Sequence, residues 1–348
     1  LHGSDPYNAE PPRHALAGHH LTAIDTFYSR NHGPVPTIDT ATWRLRADGL
    51  VQRPLELGLE DLKKQYEHQT TTATLQCAGN RRADLDLVRD IPGEDLWGPC
   101  ATSTATWTGT RLADVLRSAG LDDEARHIHF GAQDVTTLAH PPQAYGSSIP
   151  VGKATSDEVL LAWQMNGQDL PAVHGGPVRV LIPGYIGARS VKWLDRVTAS
   201  LQPSESFFQT TAYRLLPVEG TPGPGVGVSL GPVALNSAIL VPDDGATLSA
   251  GDTDVRGYAY AGERGITRVD VSLDQGRTWV QAQLDEQAER WTWCLWRTRL
   301  PLQEGEATIS VRAWDTSAAT QPASAQQVWN PKGYANSSWA QATVTVSA

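Results

Sequence analysis

Apolar positions in this chain change period along its length. Leu59, Leu62 and Tyr66 recur at helical spacings, so residues 59–66 predict a short amphipathic helix. A second is predicted over Arg111–Ala119, where Gly120 supplies the stop. Around them lie strand-like runs: Trp43–Arg46 with a turn at Gly49, Thr70–Ala73, His127–Phe130 and Val178–Ile182. The first thirty-odd residues are polar, with Pro and His, and read as an extended arm. This mixture predicts an irregular, loop-rich α+β domain over residues 1–217.

Near residue 218 the pattern changes. Gly220-Thr221-Pro222-Gly223-Pro224-Gly225-Val226-Gly227 reads as a linker, and helical periodicity almost vanishes beyond it. Val269–Leu273 alternates, turns at Asp274-Gln275-Gly276 and returns through Thr278–Gln281; Thr308–Trp314 alternates again. Short strands at this spacing predict an all-β immunoglobulin-like sandwich over 218–348, without the Cys…Trp…Cys pattern of antibody domains.

Composition narrows the function. At 348 residues the chain can bury two cores. A net charge of -10 argues against a nucleic-acid partner and makes any local gathering of arginines and lysines informative. No apolar run reaches membrane-spanning length. The chain is therefore expected to be soluble and cytoplasmic, or periplasmic if a presequence has been removed ahead of Leu1. Three cysteines, Cys77, Cys100 and Cys294, are too few and too scattered for a disulfide framework. No CxxC or CxxCH occurs, which leaves iron–sulfur and c-type haem readings without support.

The chemistry concentrates in Thr74-Leu75-Gln76-Cys77-Ala78-Gly79-Asn80-Arg81-Arg82. Neighbouring positive charge favours the thiolate, a soft donor suited to a redox metal, and paired arginines suit an oxyanion or a phosphate. A buried structural cysteine with surface arginines is the bland alternative. A nucleophilic cysteine, with His174 as base, is a further one that spacing alone does not test.

This segment resembles the cysteine signature of the sulfite oxidase family. Further similar segments follow in the family's order: Tyr7–Pro12, Arg30–Pro36, Trp107-Thr108-Gly109, Tyr145–Pro150, His174–Arg179, Gly187–Leu194 and Trp329–Tyr334. The resemblance implies a molybdenum-pterin (molybdopterin) domain followed by a domain that mediates homodimerisation. It implies that Cys77 ligates molybdenum. It assigns the cofactor's phosphate and heterocycle to Tyr28, Ser29, Arg30, Asn31, His32, Asp134, His174, Arg179, Ser190, Val191 and Lys192. Arg179 and Lys192 lie within apolar runs, where a buried charge calls for an anionic partner. Arg30, Arg82, Trp97 and Tyr213 match the family's substrate pocket, and Lys332 stands where its sulfite oxidases commonly carry arginine. Lysine keeps the charge and loses the bidentate fork. Nitrate reductases of the superfamily tend to be neutral there, so a retained cation favours sulfite.

The expected activity is oxidation of sulfite to sulfate. No cytochrome b5-type haem segment is recognisable, so electrons are expected to reach oxygen or an external acceptor such as a cytochrome. Reduction of nitrate or of a sulfoxide on the same cofactor is the rival activity, and a cofactor-free binding protein is the non-enzymatic one.

Overall fold

A computed structural model describes residues 1–285 and 289–348, which divide into two compact units. The first comprises residues 1–9, 29–78 and 105–231; the second comprises 10–28, 79–104 and 232–348.

Two sheets build the first unit. One runs in the order Leu55–Leu57, Leu45–Gly49, Leu194–Ser200, His127–Thr136, Gln143–Pro150. Only Leu45–Gly49 and Leu194–Ser200 are parallel neighbours. The expected strand at Trp43–Arg46 begins at Leu45, while Trp43 turns inward and its indole donates to Leu194 O at 3.1 Å. The other sheet takes in Gln69–Gln76, Thr102–Arg111 and Leu160–Met165, with Arg179–Leu181 pairing against Leu160–Met165. The register of its central pair shifts between Thr108 and Gly109, and a Cβ on Gly109 would lie 2.1 Å from Leu161 O. That close approach is why glycine follows Trp107-Thr108.

Both expected helices form, over Leu59–Gln65 and Leu112–Ala119. The second buries Leu112, Val115, Leu116 and Ala119 and ends on Gly120 at φ 71°, whose N–H donates to Arg117 O at 3.0 Å. The left-handed cap is the one glycine favours. Directly after the linker-like run 220–227, Val228–Ser229 pairs back onto Arg214–Leu215.

The second unit contains two antiparallel-rich sheets consistent with an immunoglobulin-like sandwich. One has the order Asn236–Val241, Gly251–Tyr260, Cys294–Leu302, Gln283–Leu284. The other has the order Thr247–Ser249, Ala340–Ser347, Gly305–Asp315, Ile266–Ser272, Val280–Gln281. Alternate residues point inward, and Ile239, Val255, Val269, Val271, Trp296, Ile309, Val311 and Val344 form the core. Each such aliphatic side chain contributes about 1.5–3 kcal/mol by leaving water. The predicted hairpin turn is held by its own carboxylate: Asp274 accepts from the Thr278 N–H at 2.8 Å and the Thr278 hydroxyl at 2.6 Å. Those bonds pull its carboxyl down to about 2.

The opening stretch, expected as an extended arm, carries a small hairpin, Gly3–Ser4 with Tyr7–Asn8, and one helical turn at Arg13–Leu16. Leu16 is fully buried, and Arg13 donates to Ile239 O at 3.1 Å. A single apolar residue on one turn gives no period, which is why the pattern of positions concealed it.

Candidate active site

Cys77 follows directly on the strand Gln69–Gln76 and is buried, 7% exposed. The strand's last residue also bridges in parallel to Ile186, which fixes the backbone entering the thiol. In the first unit the proposed cofactor residues converge on one another. Asn31 is a hub: its N–H donates to Asn8 Oδ1 at 2.7 Å, its amide donates to Tyr7 O, and its Oδ1 accepts from Lys192 Nζ. Arg30 donates to the Asn31 carbonyl. Ser29 exchanges backbone bonds with Ala9. Arg179 donates to His174 O at 2.9 Å and Ser190 O at 2.8 Å, with its guanidinium over the Trp107 ring. Ser190 Oγ accepts from the Ile182 N–H, and the Val191 carbonyl accepts from the Val180 N–H. Gly175 at φ 106° lets the backbone beside His174 close on Lys192, where a Cβ would come within 2.8 Å of the Lys192 Cβ.

His32 joins this group to an aromatic set. Its ring lies 4.5 Å from the Phe208 centroid and 5.3 Å from that of Tyr145, and its Nε2 is 2.7 Å from the Tyr213 hydroxyl. Tyr145 and Phe208 were not singled out as site residues; they carry no charge, and only the fold places them against His32.

The electrostatics are lopsided. Burial and the Arg30 and Lys192 charges hold His32 well below its usual range, so it is neutral at pH 7. Burial and the Arg179 charge push Lys192 down, against the pull of Asp134. Burial raises the Asp134 carboxyl to about 6, partly opposed by Lys192. Around Lys192, Arg179 and Arg30 stand against the Asp134 carboxyl, an imbalance of charge within a largely buried region. A bound anion would relieve that imbalance. Beside Cys77 in sequence, Gln76 Oε1 is buried without a hydrogen-bond partner among the described residues. Such an acceptor suits an N–H group of a heterocycle. Among the described residues no three His, Cys, Asp or Glu side chains gather into a metal cage. These residues fit an anionic, heterocyclic metal cofactor.

Tyr28, Arg82, Trp97 and Lys332 fall in the second unit. The Tyr28 N–H donates to Ser103 Oγ at 3.1 Å. Arg82 and Lys332, 250 residues apart, are brought together: Arg82 Nε donates to Lys332 O at 2.9 Å. Arg82 Nη1 donates to Asp95 O at 2.6 Å, and its guanidinium lies 5.2 Å from the Tyr334 ring centre. Trp97 is fully buried, and its carbonyl accepts from the Ala83 N–H at 3.1 Å. The neighbouring Arg81 does different work. It donates to Asn236 Oδ1, Ser237 O, Ser338 O and Trp339 O and pairs with Asp84, which consumes its fork in structure.

The model of the oxidoreductase molybdopterin-binding domain matches residues 32–208, and that of the Mo-co oxidoreductase dimerisation domain matches 230–347. The chain is 40% identical to sulfite oxidase of Gallus gallus over 97% of its length and 76% of that protein's. The chain belongs to the sulfite oxidase family. It is 40% identical to mitochondrial sulfite oxidase of Mus musculus, spanning 99% of this chain but about two thirds, 65%, of that one. In structure it resembles the sulfane dehydrogenase SoxCD of Paracoccus pantotrophus, with a TM-score of 0.82 at 27% identity, covering 95% of this chain and 82% of the other. Family membership makes it a molybdopterin oxidoreductase with a dimerisation domain. No helix among the described residues is long and apolar enough to cross a membrane.

Proposed function

We propose that this chain oxidises sulfite to sulfate, with Cys77 as the protein's ligand to the molybdenum of a pterin cofactor. Balanced, one sulfite and one water become one sulfate, two protons and two electrons. When bound, the cofactor supplies the oxygen transfer and accepts the electron pair. Arg30, His32, Asn31, Asp134, His174, Arg179, Lys192 and the turn at Ser190-Val191, with Tyr28 and Ser29, hold it. Arg82 and Lys332 draw in the dianion and offset its desolvation, with Arg30 adding charge and Trp97 an apolar wall. The Tyr213 hydroxyl, held by neutral His32, offers a hydrogen bond at an oxyanion or a place for a proton. The electrons pass on to oxygen or an external acceptor such as a cytochrome, and the chain works as a homodimer through its second domain.

The observation that carries this reading is the Arg82 Nε bond to the Lys332 carbonyl, which brings together two cationic residues 250 positions apart in an acidic chain. A reductase of nitrate or of a sulfoxide would run the same cofactor in reverse. Steady-state assays with sulfite and ferricyanide, set against reduced viologen with nitrate, separate the directions, and turnover only with nitrate would sink the proposal. Cys77→Ser is expected to abolish sulfite turnover, by more than about a thousandfold, in protein that stays folded by circular dichroism. Turnover surviving in that variant would remove the thiolate from the mechanism.

A further inference from the structure

We propose that Glu94 is a positioning residue that occupies the substrate cations until the substrate arrives. This rests on the reading that Arg82 and Lys332 receive an oxyanion. Glu94 lies in the turn Pro92-Gly93-Glu94-Asp95, and its side chain is only 12% exposed. One carboxylate oxygen, Oε1, accepts from Lys332 Nζ, while Oε2 stands 3.4 Å from Arg82 Nη2. One anion therefore spans both cations, each oxygen facing one of them. That is the two-point contact a small oxyanion would make with the same pair.

The two cations are not equally dependent on Glu94. Arg82 keeps its bonds to Lys332 O and Asp95 O and its contact with the Tyr334 ring. Its stem is also packed under Gly333, where a Cβ would lie 2.5 Å from Arg82 Cγ, and its guanidinium under Gly79. The backbone of Lys332 is tied down by the Arg82 Nε bond. Taking away the Glu94 charge thus leaves Arg82 and the Lys332 backbone where they are and raises the combined charge of the pair from plus one to plus two. An incoming dianion must displace Glu94 from Lys332, whose side chain is 26% exposed and has room to turn. Glu94 sets how tightly the site holds oxyanions: it weakens substrate capture and, equally, the retention of product.

The test uses the holoenzyme. Glu94→Gln, which keeps the shape and removes the charge, is expected to lower the KM for sulfite about tenfold, with kcat changing by less. The dissociation constant of sulfate from the resting enzyme, by titration calorimetry, should fall by a similar factor. Glu94→Asp, too short to reach both cations but still charged, should lie between the parent and Glu94→Gln in both measurements. It also serves as the readout if Glu94→Gln fails to fold. Unchanged or weakened binding of sulfite and sulfate in these variants would overturn the proposal. Absence of sulfite turnover in the parent enzyme would instead refute the functional reading, and the sulfate titrations would still report on Glu94.

Discussion

Two cationic groups in this molecule are built on opposite principles. In the first unit, Arg179 is deeply buried and Lys192 and Arg30 partly so, and the Asp134 carboxyl that attracts Lys192 is itself raised to about 6. In the second, Arg82 and Lys332 share Glu94 and sit in a web of backbone carbonyls. The difference matches what each is proposed to hold. A resident anion that stays for the life of the protein can be part of the charge balance, so the protein need not provide a substitute. A ligand that comes and goes thousands of times needs a site that is stable when vacant, and an internal carboxylate provides that.

The comparison breaks most sharply at its lysines. Lys192→Met is expected to strip the cofactor, because it removes the bond to Asn31 Oδ1 and the buried charge together. Two lost charge-assisted contacts correspond to about 3 kcal/mol, roughly a hundredfold in retention. The molybdenum-to-chain ratio after dialysis measures it. Lys332→Met should keep its molybdenum and raise the KM for sulfite by about ten- to thirtyfold, since its charge serves only the exchanging ligand. If Lys332→Met lost molybdenum, or Lys192→Met kept it and changed only KM, the division of labour would be wrong.

Much of this was legible in the chain before folding. The helices over Leu59–Gln65 and Leu112–Ala119 announced themselves by period and stop signal, and the sandwich strands by alternation and the Asp274-Gln275-Gly276 turn. Cys77, His32, Arg179 and Lys192 are assigned to the site by short runs that resemble a family's. Other features had no local signal. Arg81 and Arg82 are adjacent and chemically identical, yet one is consumed in tying the loop to Asn236, Ser237, Ser338 and Trp339 while the other faces Lys332. Which is which depends on Arg81 taking φ 62°, a left-handed turn that sends the two side chains different ways. In the sequence Glu94 is one acid of a short acidic turn, with nothing beside it to mark it. Its meaning comes from a lysine 238 residues away, and no window along the sequence contains both.

The smallest expected effect concerns Asp134, and it tests whether the first group is as starved of negative charge as the contrast requires. Burial penalises its ionised form, which raises the carboxyl from 3.8 to about 6 in the folded protein. A raised acid contributes stability at pH below its unfolded value and loses it as the pH climbs through the folded value. In cofactor-free protein the contribution should therefore be present near pH 4 and gone above pH 6. The full shift would correspond to about 3 kcal/mol, and relaxation around a buried carboxylate reduces that to about 1 kcal/mol. Asp134→Asn cannot ionise. The stability difference between parent and variant, from urea unfolding at pH 4.5 and pH 7.5, should move in the variant's favour by that amount as the pH rises. A difference that stays flat, or moves the other way, would mean that Lys192 and its neighbours already satisfy the carboxylate. Asp134 would then be a standing counter-ion for Lys192, as Glu94 is for Lys332, and that part of the contrast with Arg82, Lys332 and Glu94 would vanish.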